Sequence, residues 1–205
     1  MRIVLTEGKC IPFLPISVTV CIFVFIHYSH TQKLIVMRPL PSDYASFFEP
    51  YISLVKNDNI QQALSASLPQ MESFLSSIPE SKSDYAYAEN KWTVKQVLQH
   101  GIDSERVFAY RAMCIARGEK QPLPSFDENQ YAEKAPVQHR SLKGLTEELL
   151  LQRRSTILLF EHLTEEMLNI RGIASGKPIT ALSLGYITIG HWLHHQQILA
   201  ERYFG

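Results

Sequence analysis

Charge of one sign is missing from this chain. Its 205 residues carry 20 Lys+Arg and 20 Asp+Glu, so the formal net charge is zero. A protein that holds nucleic acid through phosphates normally carries a basic excess, so that class is disfavoured. The same balance disfavours a polybasic membrane-surface protein. Cysteine is also scarce, with Cys10, Cys21 and Cys114 and no CxxC spacing. Three thiols cannot build a disulfide framework, which fits a reducing compartment and makes a cytoplasmic location the expectation. No apolar run reaches the roughly 20 residues of a spanning helix. The longest, Ile11–Ile26, has sixteen and contains Pro12 and Pro15. Alternating polar and apolar runs that would mark strands are absent, as are internal repeats. What remains is ordinary for a globular protein: 45% apolar and 10% aromatic residues, which excludes disordered and fibrous classes.

Residues 1–36 differ in kind from the rest. Arg2 and Lys9 precede the apolar run, the order found in a signal peptide or signal anchor. No small-x-small cleavage site follows. From Met37, the segment MRPLPSDYASFF reads as an ordinary polar lead-in. The expectation is therefore that Met37 is the true start and that 1–36 is upstream sequence. The alternative is a membrane anchor through residues 11–26. Residues 37–205 then form one domain of 169 residues, long enough for a sizeable core.

Four stretches of that domain have helical periodicity. In 57–77, Ile60, Leu64, Leu68, Met71, Leu75 and Ile78 recur at three- and four-residue steps, and Pro69 should kink or restart the helix. Thr93 and Gln96 form a capping-box pattern that starts a second helix, with Gly118 placed to end it. A third begins near Ser141 and carries Leu142, Leu145, Leu149, Thr156, Leu159 and Leu163. A short turn of helix fits 164–170. Gly172, Gly176 and Pro178 then break the chain, and a last helix runs from near Thr180 to about Phe204. Four amphipathic helices point to an all-α four-helix bundle. The connection from Gly118 to Arg140 carries Pro122, Pro124 and Pro136 and no clear element. A loop that long fits a crossover, which lets the second and third helices run the same way. Phe126 and Tyr131 would then lie over one end as a partial lid.

The densest chemical feature is GHWLHH at 190–195. His191 and His195 are four apart and stack on one helix face, a geometry that suits two imidazoles on one divalent metal. His194, three from His191, competes with His195 on spacing alone. Trp192 stands where a zincin protease has its glutamate, which argues against that mechanism. A third ligand must come from elsewhere. His100 is the best candidate, because it borders the apolar stripe of the second helix. Three neutral imidazoles would leave open positions, the pattern of a catalytic site. Asp103 is a candidate to orient an imidazole. Glu105 projects to another side and reads as a surface or salt-bridge residue. His139 and His162 read as surface or core-edge residues, Trp192 as core, and Cys114 as a packed thiol.

KWTVKQVLQHGIDSERVFAYR at 91–111, LPSFDENQYA at 123–132, ELLLQRRSTILLF at 148–160 and GYITIGHWLHHQQILAERY at 185–203 together resemble the DinB-like superfamily, which includes the YfiT-like metalloenzymes. The likeness spans about residue 38 to the end, and the first 36 residues have no counterpart in it. The resemblance implies an up-down-down-up four-helix bundle. It implies a divalent metal, zinc or nickel, held by His100, His191 and His195 rather than His194. It also implies an enzyme acting on a small molecule, since relatives transfer or isomerise substrates with a low-molecular-weight thiol such as bacillithiol or mycothiol. A thiol-dependent S-transferase is the leading expectation. A metal-dependent hydrolase and a non-catalytic metal- or ligand-binding bundle are the alternatives. Relatives often pair, so a homodimer is plausible. The family name derives from DNA-damage induction and implies no nucleic-acid partner.

Overall fold

Side-chain caps set where the long helices begin. The computed structural model describes residues 38–205, and the expectations for residues 1–36 and for a start at Met37 lie outside the described residues. A short helix α1 (Glu49–Ile52) leads into α2 (Ile60–Ser76), where Asn59 accepts from the Gln62 amide at 2.9 Å. Pro69 does not restart the helix, because α2 runs unbroken through it. Pro69 and Ser65, whose carbonyl loses its intrahelical partner, both lie on the exposed face, so water can satisfy that carbonyl. Leu64, Met71 and Leu75 stay buried on the opposite face and hold the axis.

The predicted capping box opens α3 (Val94–Ala116). The Gln96 amide donates to Thr93 Oγ1 at 3.2 Å, and the Thr93 amide donates to Gln96 Oε1 at 2.8 Å. Gly118 ends the helix region with a φ of +81°, a backbone that favours glycine. The crossover is not bare loop. Asp127 caps a short helix α4 (Glu128–Lys134) that the proline-rich sequence concealed. Ser141 then caps α5 (Leu142–Glu161), and Thr164 caps the expected short helix α6 (Glu165–Asn169).

No strand was expected, yet a hairpin follows. β1 (Arg171–Ala174) pairs antiparallel with β2 (Lys177–Thr180), in a register from Arg171 opposite Thr180 to Ala174 opposite Lys177. Four-residue strands holding Gly172 and Pro178 show no alternation, which is why the pattern was silent. Ser175 and Gly176, at φ +52° and +70°, form the two-residue turn whose twist suits a hairpin. The Leu123 amide donates to Ile173 O at 2.8 Å and the Ser175 amide to Leu123 O at 3.0 Å, which pins the crossover to the hairpin. Thr180 caps the last helix, α7 (Ala181–Ile198), which ends in a π turn over Leu199–Tyr203.

Side-chain contacts fix the helix directions. Along α3 and α5, Gly101 meets Leu149 and Glu105 meets Arg153, so these two run parallel. Ile60 of α2 and Phe160 of α5 both meet Gly185, while Ser67 meets Arg153, so α2 and α5 are antiparallel. Phe74 packs on Trp192, which makes α2 parallel to α7. The bundle is therefore up-down-down-up. Its core includes Leu64, Leu98, Ile102, Leu145 and Leu184, all fully buried. Each such side chain stabilises the fold by roughly 1.5–3 kcal/mol relative to exposure. Among the described residues no helix is long and apolar enough to cross a membrane.

Candidate metal centre

The antiparallel pairing of α3 and α7 sets the start of one beside the end of the other. His100, seven residues past the Thr93 cap, therefore faces His191 and His195. Their Nε2 atoms converge. His100 Nε2 lies 3.0 Å from His191 Nε2, and His195 Nε2 lies 3.1 Å from the same atom. One ring nitrogen from each of the three falls within 4.8 Å of the others.

Burial sets their charge. It lowers the His100 pKa to about 4 and that of His195 to about 3. His191 is pushed well below the usual histidine value, first by burial and then by its histidine neighbours. All three are therefore neutral at pH 7, with lone pairs free to bind. Three neutral imidazoles are a donor set suited to a divalent transition metal, so the residues present fit one.

Aromatic side chains hold the rings in place. Tyr51, from α1, and Phe108 each meet the His191 ring edge-on, at 5.5 and 5.6 Å between centroids. Trp92 lies 4.8 Å from the His100 ring. Tyr51 reaches the site because α7 has no side chain at Gly190, where a Cβ would collide with the Tyr51 carbonyl. A cavity of about 460 Å³ opens onto the three histidines, walled by Trp92, Phe108 and Phe126 and reaching Arg111.

The other sequence candidates fall elsewhere. His194 stands outside the triad, its ring 5.2 Å from Tyr51. Asp103 accepts a hydrogen bond from Gln99 at 3.0 Å and lies near Arg106, and among the described residues it makes no bond to His100. Glu105 does form a salt bridge, but a buried one. Arg153 donates to its two oxygens at 2.8 and 2.9 Å, and both side chains are almost wholly enclosed. Phe126 lines the cavity, whereas Tyr131 packs on Phe126 from an exposed position beside a different depression. His139 and His162 are exposed, Trp192 is buried and Cys114 is half-buried.

Sequence reasoning missed Tyr51 and Arg111. Tyr51 belongs to a lead-in with no periodicity to place it. Arg111 left a signal: His100, Ser104, Phe108 and Arg111 recur at helical steps on one face of α3.

Known proteins bear on this arrangement in three ways. Among curated proteins none matches the chain. Among solved structures, YfiT from Bacillus subtilis superposes with a TM-score of 0.60 at 20% identity, covering 80% of this chain and 90% of its own. YfiT is described as a probable metal-dependent hydrolase with an unusual four-helix bundle topology, and at that identity the likeness shows the fold. The model of the DinB superfamily matches residues 63–199, a span that takes in all three clustered histidines, and the chain belongs to that superfamily.

Proposed function

We propose that this protein is a divalent-metal-dependent enzyme in which His100, His191 and His195 hold zinc or nickel. The observation that carries this reading is the convergence of three imidazoles, two buried and one half-buried, on one wall of a cavity. When bound, the metal supplies a positive charge that lowers the pKa of a thiol or water beside it. The chain supplies the rest. The three histidines would hold that charge, and Tyr51, Trp92 and Phe108 pack against the His191 and His100 rings, which limits water at the site and would strengthen its effect.

The leading reaction is transfer of a low-molecular-weight thiol to an electrophilic small molecule. The one carboxylate on the cavity wall among the described residues is the exposed Glu128, so no buried acid stands ready as a general base. A thiol, with a pKa near 8.5, needs less help to ionise than water does. Metal-dependent hydrolysis is the second reading, favoured by the likeness to YfiT, a probable metal-dependent hydrolase.

The test begins with elemental analysis of protein purified without a histidine tag. Near-stoichiometric zinc or nickel is expected in the wild type. His100→Ala, His191→Ala and His195→Ala should each lose it, and His194→Ala should retain it. Loaded protein is then assayed with bacillithiol or mycothiol and 1-chloro-2,4-dinitrobenzene, and separately with ester and amide panels. Absence of metal from the wild type after reconstitution, or equal loss in all four variants, overturns the assignment.

A further inference from the structure

Among the described residues two arginines, Arg111 and Arg153, are buried, and their guanidinium groups are treated differently. Arg153 is neutralised by Glu105 through two hydrogen bonds. Arg111 is 4% exposed, yet among the described residues no carboxylate pairs with it. Its Nη2 donates to Pro124 O at 2.6 Å and to Ser175 Oγ at 3.0 Å, and its guanidinium carbon sits 5.6 Å from the centroid of the Phe126 ring. Nε and Nη1 have no partner among the described residues. Burial pulls the Arg111 pKa below the usual arginine value, but the group stays charged at any physiological pH. A buried cation facing only neutral dipoles and a ring is costly, and an anion entering the cavity would relieve that cost.

Arg111 also shares its cavity with the three histidines. It stands eleven residues beyond His100 on α3, about 16 Å along the helix at 1.5 Å per residue. Ser104 lies between them on the same face, and its buried hydroxyl has no hydrogen-bond partner among the described residues. Phe108 follows, with Phe126 beside Arg111. One end of the cavity is thus the nitrogen cluster, the middle is apolar with one idle hydroxyl, and the other end is an uncompensated cation.

We propose that this cavity takes an elongated substrate with an apolar body and a terminal carboxylate, the carboxylate being received by Arg111 while the reactive end lies at the three histidines. The proposal rests on the reading of the histidine cluster as an active site and adds the substrate class. One buried cation balances the single charge of a carboxylate. The Pro124 carbonyl oxygen at Arg111 and the Glu128 carboxylate on the same cavity oppose the second charge of a phosphate. Arg111 is on this view a specificity-determining residue.

The test is calorimetric, on the full chain, with 6-phenylhexanoate and its neutral counterpart 6-phenylhexanamide as probes. Wild-type protein should bind the acid about 10-fold more tightly than the amide or better, the scale of a charge-assisted hydrogen bond. That preference should survive removal of metal by dipicolinate, because Arg111 and not the metal carries it. In Arg111→Gln the ratio should fall to about one while metal content stays at the wild-type level. Should Arg111→Gln not fold, Arg111→Lys serves: it keeps the charge but changes the donor geometry, and a reduced preference is expected. Equal binding of acid and amide by the wild type overturns the proposal. So does a preference that persists in Arg111→Gln, is unchanged in Arg111→Lys, or vanishes with the metal. The two readings fail separately. A protein that never holds metal but still selects the acid through Arg111 refutes the metal assignment alone, and a metal-loaded protein without acid preference refutes this proposal alone.

Discussion

Arg153 is fully enclosed, and its contacts reach every long helix of the bundle. From α5 it donates to Glu105 on α3, to Ser67 Oγ on α2 at 2.7 Å and to Thr188 O on α7 at 3.3 Å. Removing the cation leaves a buried carboxylate alone, which is far more costly than never having buried the pair. Arg153→Met should therefore lower the unfolding free energy by about 3–5 kcal/mol. The double variant Arg153→Met with Glu105→Leu should recover most of that loss, since an apolar pair needs no compensation. Urea denaturation of the three proteins checks both statements, and a loss under about 1 kcal/mol in the single variant would contradict the account. This network was only half legible in the sequence. A lone Glu reads as surface because charged side chains are seldom fully buried. Its partner lies 48 residues away, a separation that no local pattern spans. His100 and His191 were easier to single out, since one borders an apolar stripe and the other opens the histidine cluster, whereas spacing left His194 and His195 level and only the family resemblance chose His195.

At the scale of elements, the helix starts were legible because capping is local chemistry. Thr93 with Gln96, Ser141, Thr164 and Thr180 each announce a helix within three residues of their own position. The hairpin β1–β2 was not legible, because its strands are too short to alternate and its stability comes from Leu123 and the core beneath it. The same holds for α1, whose place depends on an absence of atoms in α7. At Gly190 the backbone of Tyr51 packs directly on the helix. Gly190→Ala puts a methyl group where the Tyr51 carbonyl stands, and a helix gains nothing large enough from alanine to offset that collision. The variant should lose about 1–3 kcal/mol of stability through overpacking. It should also free α1 from the bundle, so limited proteolysis within residues 45–58 should accelerate. An unchanged digestion rate would show that α7 can shift to accommodate the methyl group, and that Tyr51 is not held over His191 by this contact.

The whole molecule turns on a crossover that makes α3 and α5 parallel, so that α3 can lie antiparallel to α7. The length of the Gly118–Arg140 connection already argued for parallel second and third helices, and the observed contacts between α3 and α5 agree. What no length could give is the closing of the site, because His100 and His191 are 91 residues apart in sequence. A metal held by His100, His191 and His195 would clip α3 to α7 across that separation in the folded state alone. Ligand that binds only the folded protein stabilises it by about 4 kcal/mol when present at a thousand times its dissociation constant. For a domain of this size each kcal/mol raises Tm by roughly 2–4 °C. Saturating zinc or nickel should therefore raise the Tm of metal-stripped protein by about 10 °C. The increment should be retained in His194→Ala, whose ring stands outside the cluster, and should be absent from His191→Ala, which removes the nitrogen nearest both others. Differential scanning calorimetry of the stripped and reloaded proteins reads the shift directly. If the wild type shows no increment with any divalent ion, the histidines serve packing alone, and α3 and α7 are held together by Phe108, Trp192 and the buried ion pair beneath them.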